Sequence, residues 1–307
     1  MCIRLILGAL LGAALLSGMA LVGPLAREAR GDFTLWDSQQ MTVDTSHWAG
    51  TLYDQSRARI VPGGSVTSWL SAYNSSAVDI SGGSLGGLRT YDTSAADISG
   101  GSVDYTLETH NASTVHISGT GYVNTFYAYD TGAVDISGGG YVNWLRADNT
   151  SAVNISGGRV EDLYAVSTST VAISGGTVVD LYAYNTSAVN ISGGGYVNAL
   201  YTYDLITVDF ARGKVAHLYA GGTSTVTFHG QDFLLGPGLS LDGDRVLGTG
   251  VLSGECFDGG HWTVNIDLNA SGATILAIPE PATLSLLALG SAMLVRRRRV
   301  APQTDRP

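Results

Sequence analysis

The chain has 307 residues, among them 41 glycines and only 16 lysines and arginines, and its formal net charge is −10. Residues 30–278 hold 9 basic against 23 acidic side chains, a formal net charge of −14, and such a surface excludes nucleic acid and anionic lipid as partners. The abundance of glycine together with serine, threonine, asparagine and aspartate is typical of a turn-rich β protein.

The N-terminus predicts a signal peptide over residues 1–29. Arg4 gives the short leading segment one positive charge, and Leu5–Val22 is an apolar run. We expect the mature chain to begin between residues 21 and 32, and an uncleaved N-terminal anchor is the alternative. After cleavage Cys256 is the last remaining cysteine, so no internal disulfide is expected.

A repeat with the pattern Val-x-Ile-Ser-Gly-Gly fills residues 60–230. Its isoleucine position recurs every 18 to 20 residues, and a spacing this constant indicates a repeat architecture. The position is occupied by Ile60, Ile80, Ile98, Ile117, Ile136, Ile155, Ile173, Ile191, Phe210 and Phe228.

Further apolar columns accompany this position in every copy of the repeat. Val153 lies two residues before Ile155, Val160 follows the glycines, and Leu163 and Ala165 come next, with equivalents in the other copies. A spacing of two places side chains on one face of a strand, so these columns are predicted to face inward. Eighteen or nineteen residues are too few for a propeller blade, and no apolar stripe of helical period is present.

We therefore predict an all-β fold, a single-stranded parallel β-solenoid of about ten coils of 18–19 residues, stacked about 4.8 Å apart. Residues 30–59 are expected to cap its N-terminal end and residues 231–277 to form a C-terminal β cap. The solenoid would be flanked by an N-terminal signal helix and a C-terminal transmembrane helix.

Outward positions were considered as chemical sites. The column between valine and isoleucine contains Asp79, Asp97 and Asp135, whose carboxylates could bind Ca²⁺ or form a solvated polar ladder. The ladder is the favoured interpretation, because the turn contains Ser-Gly-Gly where a calcium-binding repeat would place aspartate. No metal, cofactor or catalytic residue is predicted.

Tyrosines are predicted to form two outward columns beside the alanine column. Exposed aromatic rings in a row could contact sugars, although stacked tyrosines can equally serve only to stabilise the coils. The candidate glycan-facing residues are Tyr127, Tyr164, Tyr182, Tyr201 and Tyr219 in one column and Tyr129, Tyr184 and Tyr203 in the other.

Residues 278–299 contain three ordered parts: Pro279, Glu280 and Pro281, then an apolar stretch from 282 to 295, then the basic cluster Arg296, Arg297, Arg298 and Arg299. This arrangement resembles the PEP-CTERM sorting signal. The arginines would stay cytoplasmic, leaving the preceding chain on the far side of the membrane. The resemblance implies processing by an exosortase and a place in the cell surface or exopolysaccharide matrix. Residues 300–307 form a short tail.

Two functions from different classes follow. The first is an exported, non-enzymatic structural or adhesive protein with exosortase and extracellular polysaccharide as partners and no nucleic acid. The second is a carbohydrate-binding or polysaccharide-degrading β-helix protein, because fold does not fix function. Degradation by a lyase needs a base and clustered cations, whereas Arg89, Arg146 and Arg159 are isolated in the repeat.

Overall fold

The computed structural model describes residues 31–256, 259–267 and 272–279, and the regular structure in these ranges is β-strand. The predicted signal peptide, the predicted transmembrane helix and the tail from 300 to 307 lie outside the described residues. Within the described part of the chain, no helix has the length and apolarity needed to cross a membrane.

The strands are short at the N-terminal end and lengthen where two of them merge around a corner. The first twelve are β1 Phe33–Leu35, β2 Gln40–Val43, β3 Ser46–His47, β4 Gly50–Leu52, β5 Arg57–Ile60, β6 Ser65–Ala72, β7 Ala77–Thr90, β8 Ala95–Thr109, β9 Thr114–Ile117, β10 Tyr122–Ala128, β11 Ala133–Ile136 and β12 Tyr141–Ala147. The others are β13 Ala152–Ala165, β14 Thr170–Ala183, β15 Ala188–Ile191, β16 Tyr196–Thr202, β17 Thr207–Phe210, β18 Lys214–Ala220, β19 Thr225–Leu235, β20 Leu239–Asp242, β21 Arg245–Gly248, β22 Gly250–Glu255, β23 His261–Asp267 and β24 Thr274–Pro279.

Equivalent strands of successive coils pair in parallel, residue on residue. Val134 pairs with Val153 and Ile136 with Ile155, as the columns of the repeat predict. Counted along the strands that carry the Val-x-Ile motif and their equivalents, the described residues form twelve levels, which gives a rod about 50 Å long. The predicted parallel β-solenoid is confirmed.

The interior consists of the predicted apolar columns. Ile155, Val160, Leu163 and Ala165 are fully buried, and their equivalents in neighbouring coils stack directly on them. Alternation along each strand sends the intervening residues outward, so one residue type is repeated inside the rod while the outer surface varies. Burial of this continuous apolar interior is the main stabilising contribution of the fold.

The glycine corner absorbs the difference between coils of 18 and 19 residues. Ile136 and Val142 are six residues apart, and Gly138 adopts a φ of +56° in a turn closed by a 3.1 Å hydrogen bond from the Gly140 amide to the Ser137 carbonyl. Where the spacing is five, as after Ile155, β13 continues around the corner with a register shift against β14. The core positions therefore stay aligned, as the sequence predicts.

The two ends of the rod differ. At the N-terminal end β1 and β2 pair in parallel with β4 and β5. At the C-terminal end β23 and β24 stack in parallel on β18 and β19, although the repeat is no longer readable in their sequence. The antiparallel strands β22 and β21 then pair with the outer edges of β23 and β24. The last coil is thus closed by antiparallel pairing, which protects strand edges from pairing with other chains.

Candidate functional site

One tyrosine column forms a continuous stack along the rod. Each of its tyrosines lies between an inward leucine and an inward alanine or threonine, so its ring points outward. The ring centroids of Tyr164 and Tyr182 are 4.8 Å apart, those of Tyr182 and Tyr201 are 4.7 Å apart, and those of Tyr201 and Tyr219 are 4.7 Å apart. The interplanar angles are 7° to 14°, so these four candidates form a single ladder of nearly parallel rings.

The second column forms a ladder at the other end of the rod. Its rings stack at 4.1 to 5.2 Å, and it is interrupted by Asp148 and Val166 before resuming as the pair Tyr184 and Tyr203 at 4.8 Å. The stacked members before the interruption are Trp36, Tyr53, Tyr73, Tyr91, His110 and Tyr129. Tyr127 connects the two ladders, since its ring is 5.8 Å from that of Tyr129 and 5.0 Å from that of Trp144.

The stacking determines which parts of the rings a ligand can reach. Inside a ladder both faces of a ring are covered by its neighbours, so ring edges and hydroxyl groups form the accessible surface. Burial, with Asp180 and the neighbouring tyrosines adding to it, raises the pKa of Tyr182 to about 12. Burial likewise raises the pKa of Tyr201 above its ordinary value. These hydroxyls remain protonated donors at neutral pH.

A third outward column, which the sequence analysis missed, occupies the corner after the second tyrosine column. Its members share a left-handed backbone with φ between +55° and +61°, a conformation that asparagine and aspartate tolerate better than other residues with side chains. In chain order this corner column is Asp54, Asn74, Asp92, Asn111, Asp130, Asn149, Ser167, Asn185 and Asp204.

Aspartate and asparagine alternate over the first six members of the corner column. The Asn111 side-chain amide donates to the Asp92 carboxylate at 3.2 Å, and the Asn111 backbone amide donates to the Asp130 carboxylate at 3.2 Å. Asn74 is held in the same way between Asp54 and Asp92, at 2.9 and 3.0 Å. Each asparagine therefore separates two carboxylates that would otherwise lie in adjacent coils and repel each other.

Threonines beside the corner column connect one coil to the next. The Thr131 hydroxyl donates to the Asn111 carbonyl at 2.7 Å, and the Thr150 hydroxyl donates to the Asp130 carbonyl at 2.8 Å. The backbone amides of both threonines donate to the same carbonyls, so each carbonyl accepts two hydrogen bonds. The corner is thus saturated with contacts between coils.

The outward carboxylates of the Val-x-Ile column are paired along the rod. Asp79 accepts two hydrogen bonds from the Arg57 guanidinium, one of them at 2.7 Å, and Asp135 accepts one from Asn154 at 2.9 Å. His229 lies 2.6 Å from Asp209. Among the described residues no three histidine, cysteine, aspartate or glutamate side chains are grouped so that they could bind a metal ion.

A shallow groove of about 570 Å³ lies at the N-terminal end of this face. Gln40, Arg57, Arg59 and Asp97 contribute polar groups to it, and Met41 contributes an apolar one. Two guanidinium groups and the carboxylates of Asp79 and Asp97 leave the groove formally neutral, in contrast to the acidic rod around it.

The predicted sorting residues begin where the rod ends. Pro279 is the last residue of β24 and pairs with Gly230 of β19. Trp262 of β23 is buried beneath this end and stacks on Phe228 at 5.2 Å. Glu280, Pro281 and the cluster Arg296 to Arg299 lie outside the described residues.

Comparison with protein-family models gives one match, the PEP-CTERM protein-sorting motif, over residues 277–299. The chain carries a PEP-CTERM sorting motif. The PEP-CTERM motif implies export, recognition by an exosortase and transient anchoring in the membrane. Neither the curated proteins nor the solved structures that were searched include a match to this chain.

Proposed function

We propose that this chain is an exported, non-enzymatic structural or adhesive rod of the cell surface or exopolysaccharide matrix, delivered there through its PEP-CTERM motif. The observation that carries the proposal is the pairing of outward polar side chains with the adjoining coil. Asn111 between Asp92 and Asp130, and Thr131 on the Asn111 carbonyl, engage their hydrogen-bonding groups within the rod itself. A surface of this kind favours rigidity along the stack over binding one small substrate.

The basic side chains of the middle coils support the absence of catalysis. Arg89 is bonded to Glu108 at 3.0 Å, Arg146 to Asp148 at 2.8 Å and Arg159 to Glu161 at 2.9 Å. A polysaccharide lyase needs cations that converge on a substrate carboxylate together with a base within reach of the sugar. Incubation of the purified protein with acidic polysaccharides should release no unsaturated sugars, and sustained turnover would overturn this part of the proposal.

The location is tested by following the full-length protein in cells with and without a cognate exosortase. With the enzyme, the processed protein is expected in the surface or matrix fraction, and mass determination should show loss of the segment after the Pro279 region. Without the enzyme, or with Glu280→Ala and Pro281→Ala together, the protein is expected to stay in the membrane fraction. A cytoplasmic or periplasmic pool that is indifferent to both changes would contradict the proposal.

Carbohydrate binding is the second candidate, and the tyrosine ladder from Tyr164 to Tyr219 is the observation that favours it. Its row of ring edges and protonated hydroxyls is suited to contact along an extended glycan. The double variant Tyr182→Ala and Tyr201→Ala should lose retention on a glycan array. The pair Tyr73→Ala and Tyr91→Ala, which breaks the other ladder, is the matched control. Unchanged retention after the first double substitution would reject the tyrosine ladder as a glycan site.

A further inference from the structure

The strand that leads into the sorting motif is bound on both of its edges. β24 pairs in parallel with β19 from Thr274 to Pro279, and in antiparallel fashion with β21 through Ile275 and Leu276. The Ala277 amide donates to the Asp244 carbonyl at 2.8 Å. Ile275 is fully buried in the core, so β24 is an integral part of the last coil.

The sorting motif and this strand overlap. The motif begins at residue 277, whereas β24 ends at Pro279, so Ala277, Ile278 and Pro279 belong to both. No spacer separates the folded rod from the motif. The apolar stretch begins at residue 282, three residues after Pro279, which span at most about 10 Å when extended. Before processing, the C-terminal end of the rod is therefore held at the membrane surface.

This overlap creates a conflict for the enzyme that recognises the motif. A recognised peptide segment is commonly bound in extended form through its own backbone groups. The backbone of residues 277–279 is already engaged, because β19 and Asp244 occupy its hydrogen-bonding groups. Both arrangements cannot exist at the same time.

We propose that the last coil gates the sorting motif, and that the exosortase engages it only after residues 277–279 have separated from β19 and from Asp244. The inference rests on the proposed sorting function and adds a partner-binding step to it. Local opening of a strand end costs far less than global unfolding, so the gate opens while the rod stays folded. The rate of release from the membrane is then set by the local stability of β24.

The test compares the rate of processing of full-length variants in cells that contain the exosortase, by pulse-labelling and mass determination. In the spacer variant, about eight glycine and serine residues and a second Ala-Ile pair are inserted between Ile278 and Pro279, which leaves both β24 and the motif intact. The control carries the same spacer after Gly243, in the open turn between β20 and β21. The spacer variant should be processed on the order of tenfold faster, the factor expected for freeing one or two backbone hydrogen bonds, and the control should match the native chain.

A second pair of variants separates local from global loosening. Ile275→Ala removes core contacts of β24 and should accelerate processing, whereas Ile155→Ala makes the same change in the middle of the rod and should not. Equal rates for the native chain and the spacer variant would overturn the gate. Equal acceleration by Ile275→Ala and Ile155→Ala would overturn its local character. If no variant is processed, the proposed sorting function itself fails.

Discussion

The alternation of aspartate and asparagine in the corner column predicts the effect of one isosteric substitution. Asn111→Asp would place three carboxylates in successive coils about 5 Å apart, at residues 92, 111 and 130. Coulomb repulsion at that distance in water is about 0.8 kcal/mol per neighbour. The hydrogen bond from the Asn111 side chain to Asp92 is lost as well, which adds about 1 kcal/mol or more. We expect a total destabilisation of about 2–4 kcal/mol.

The assay is urea-induced unfolding of the exported protein at several salt concentrations and pH values. The repulsive part should shrink as salt rises, because the corner is exposed to solvent. Crowding raises the pKa of the carboxyls in the folded variant, so its deficit is present at neutral pH and disappears as the pH falls through that raised pKa. The control is the same substitution in a chain carrying Asp92→Asn and Asp130→Asn, which restores alternation and should remove most of the deficit. An equal deficit in both backgrounds would refute the reasoning.

Three further predictions concern the core, the tyrosines and the glycine corner. Leu163→Ala should cost about 2–5 kcal/mol in urea unfolding, whereas Leu234→Ala, at a side chain that is 69% exposed, should change stability by about 0.5 kcal/mol or less. Because the pKa of Tyr182 is raised to about 12, the stability it contributes is complete below pH 10 and is lost as the pH rises from about 10 to about 12. Tyr182→Phe should therefore reduce the alkaline loss of stability, and an ultraviolet titration that assigns Tyr182 a midpoint near 10 would contradict this. Gly138→Ala should cost about 1 kcal/mol for its left-handed backbone, and Gly140→Ala should cost more, because its new methyl group would lie 2.7 Å from the Ile117 carbonyl; the reverse order in thermal unfolding would contradict the assignment of the two glycines.

The register of the solenoid could be predicted from sequence because parallel stacking places like on like. Once Ile136 and Ile155 are recognised as equivalent, every residue of β11 has its partner in β13. The last coil could not be predicted in this way. β23 and β24 keep the backbone pairing of the rod without its sequence pattern, and their packing depends on Trp262 and on antiparallel strands that the repeat does not contain.

The candidate site was predictable in composition but only partly in geometry. Leu-Tyr-Ala spacing places Tyr182 and Tyr201 outward, yet their nearly parallel stacking, which covers the ring faces, depends on side-chain rotation. A readable signal was available for the corner column, since an asparagine or aspartate recurs one residue after the second tyrosine column and is typical of a left-handed turn. Beside it, Ser94 and its equivalents form a fully buried polar column that apolar periodicity cannot reveal.

The geometry that makes the rod also restricts what its surface can display. Each outward side chain lies about 5 Å from its equivalents above and below, so a run of like charges would accumulate repulsion along the whole stack. The chain meets this constraint by alternation in the corner column and by pairing Asp79 with Arg57 and Asp135 with Asn154. A net charge of −14 over residues 30–278 is therefore compatible with a stable stack, because many of its carboxylates already accept hydrogen bonds from a neighbouring coil. A solenoid built from identical acidic coils would lack this compensation, so sequence variation among the outward positions is a requirement of the fold.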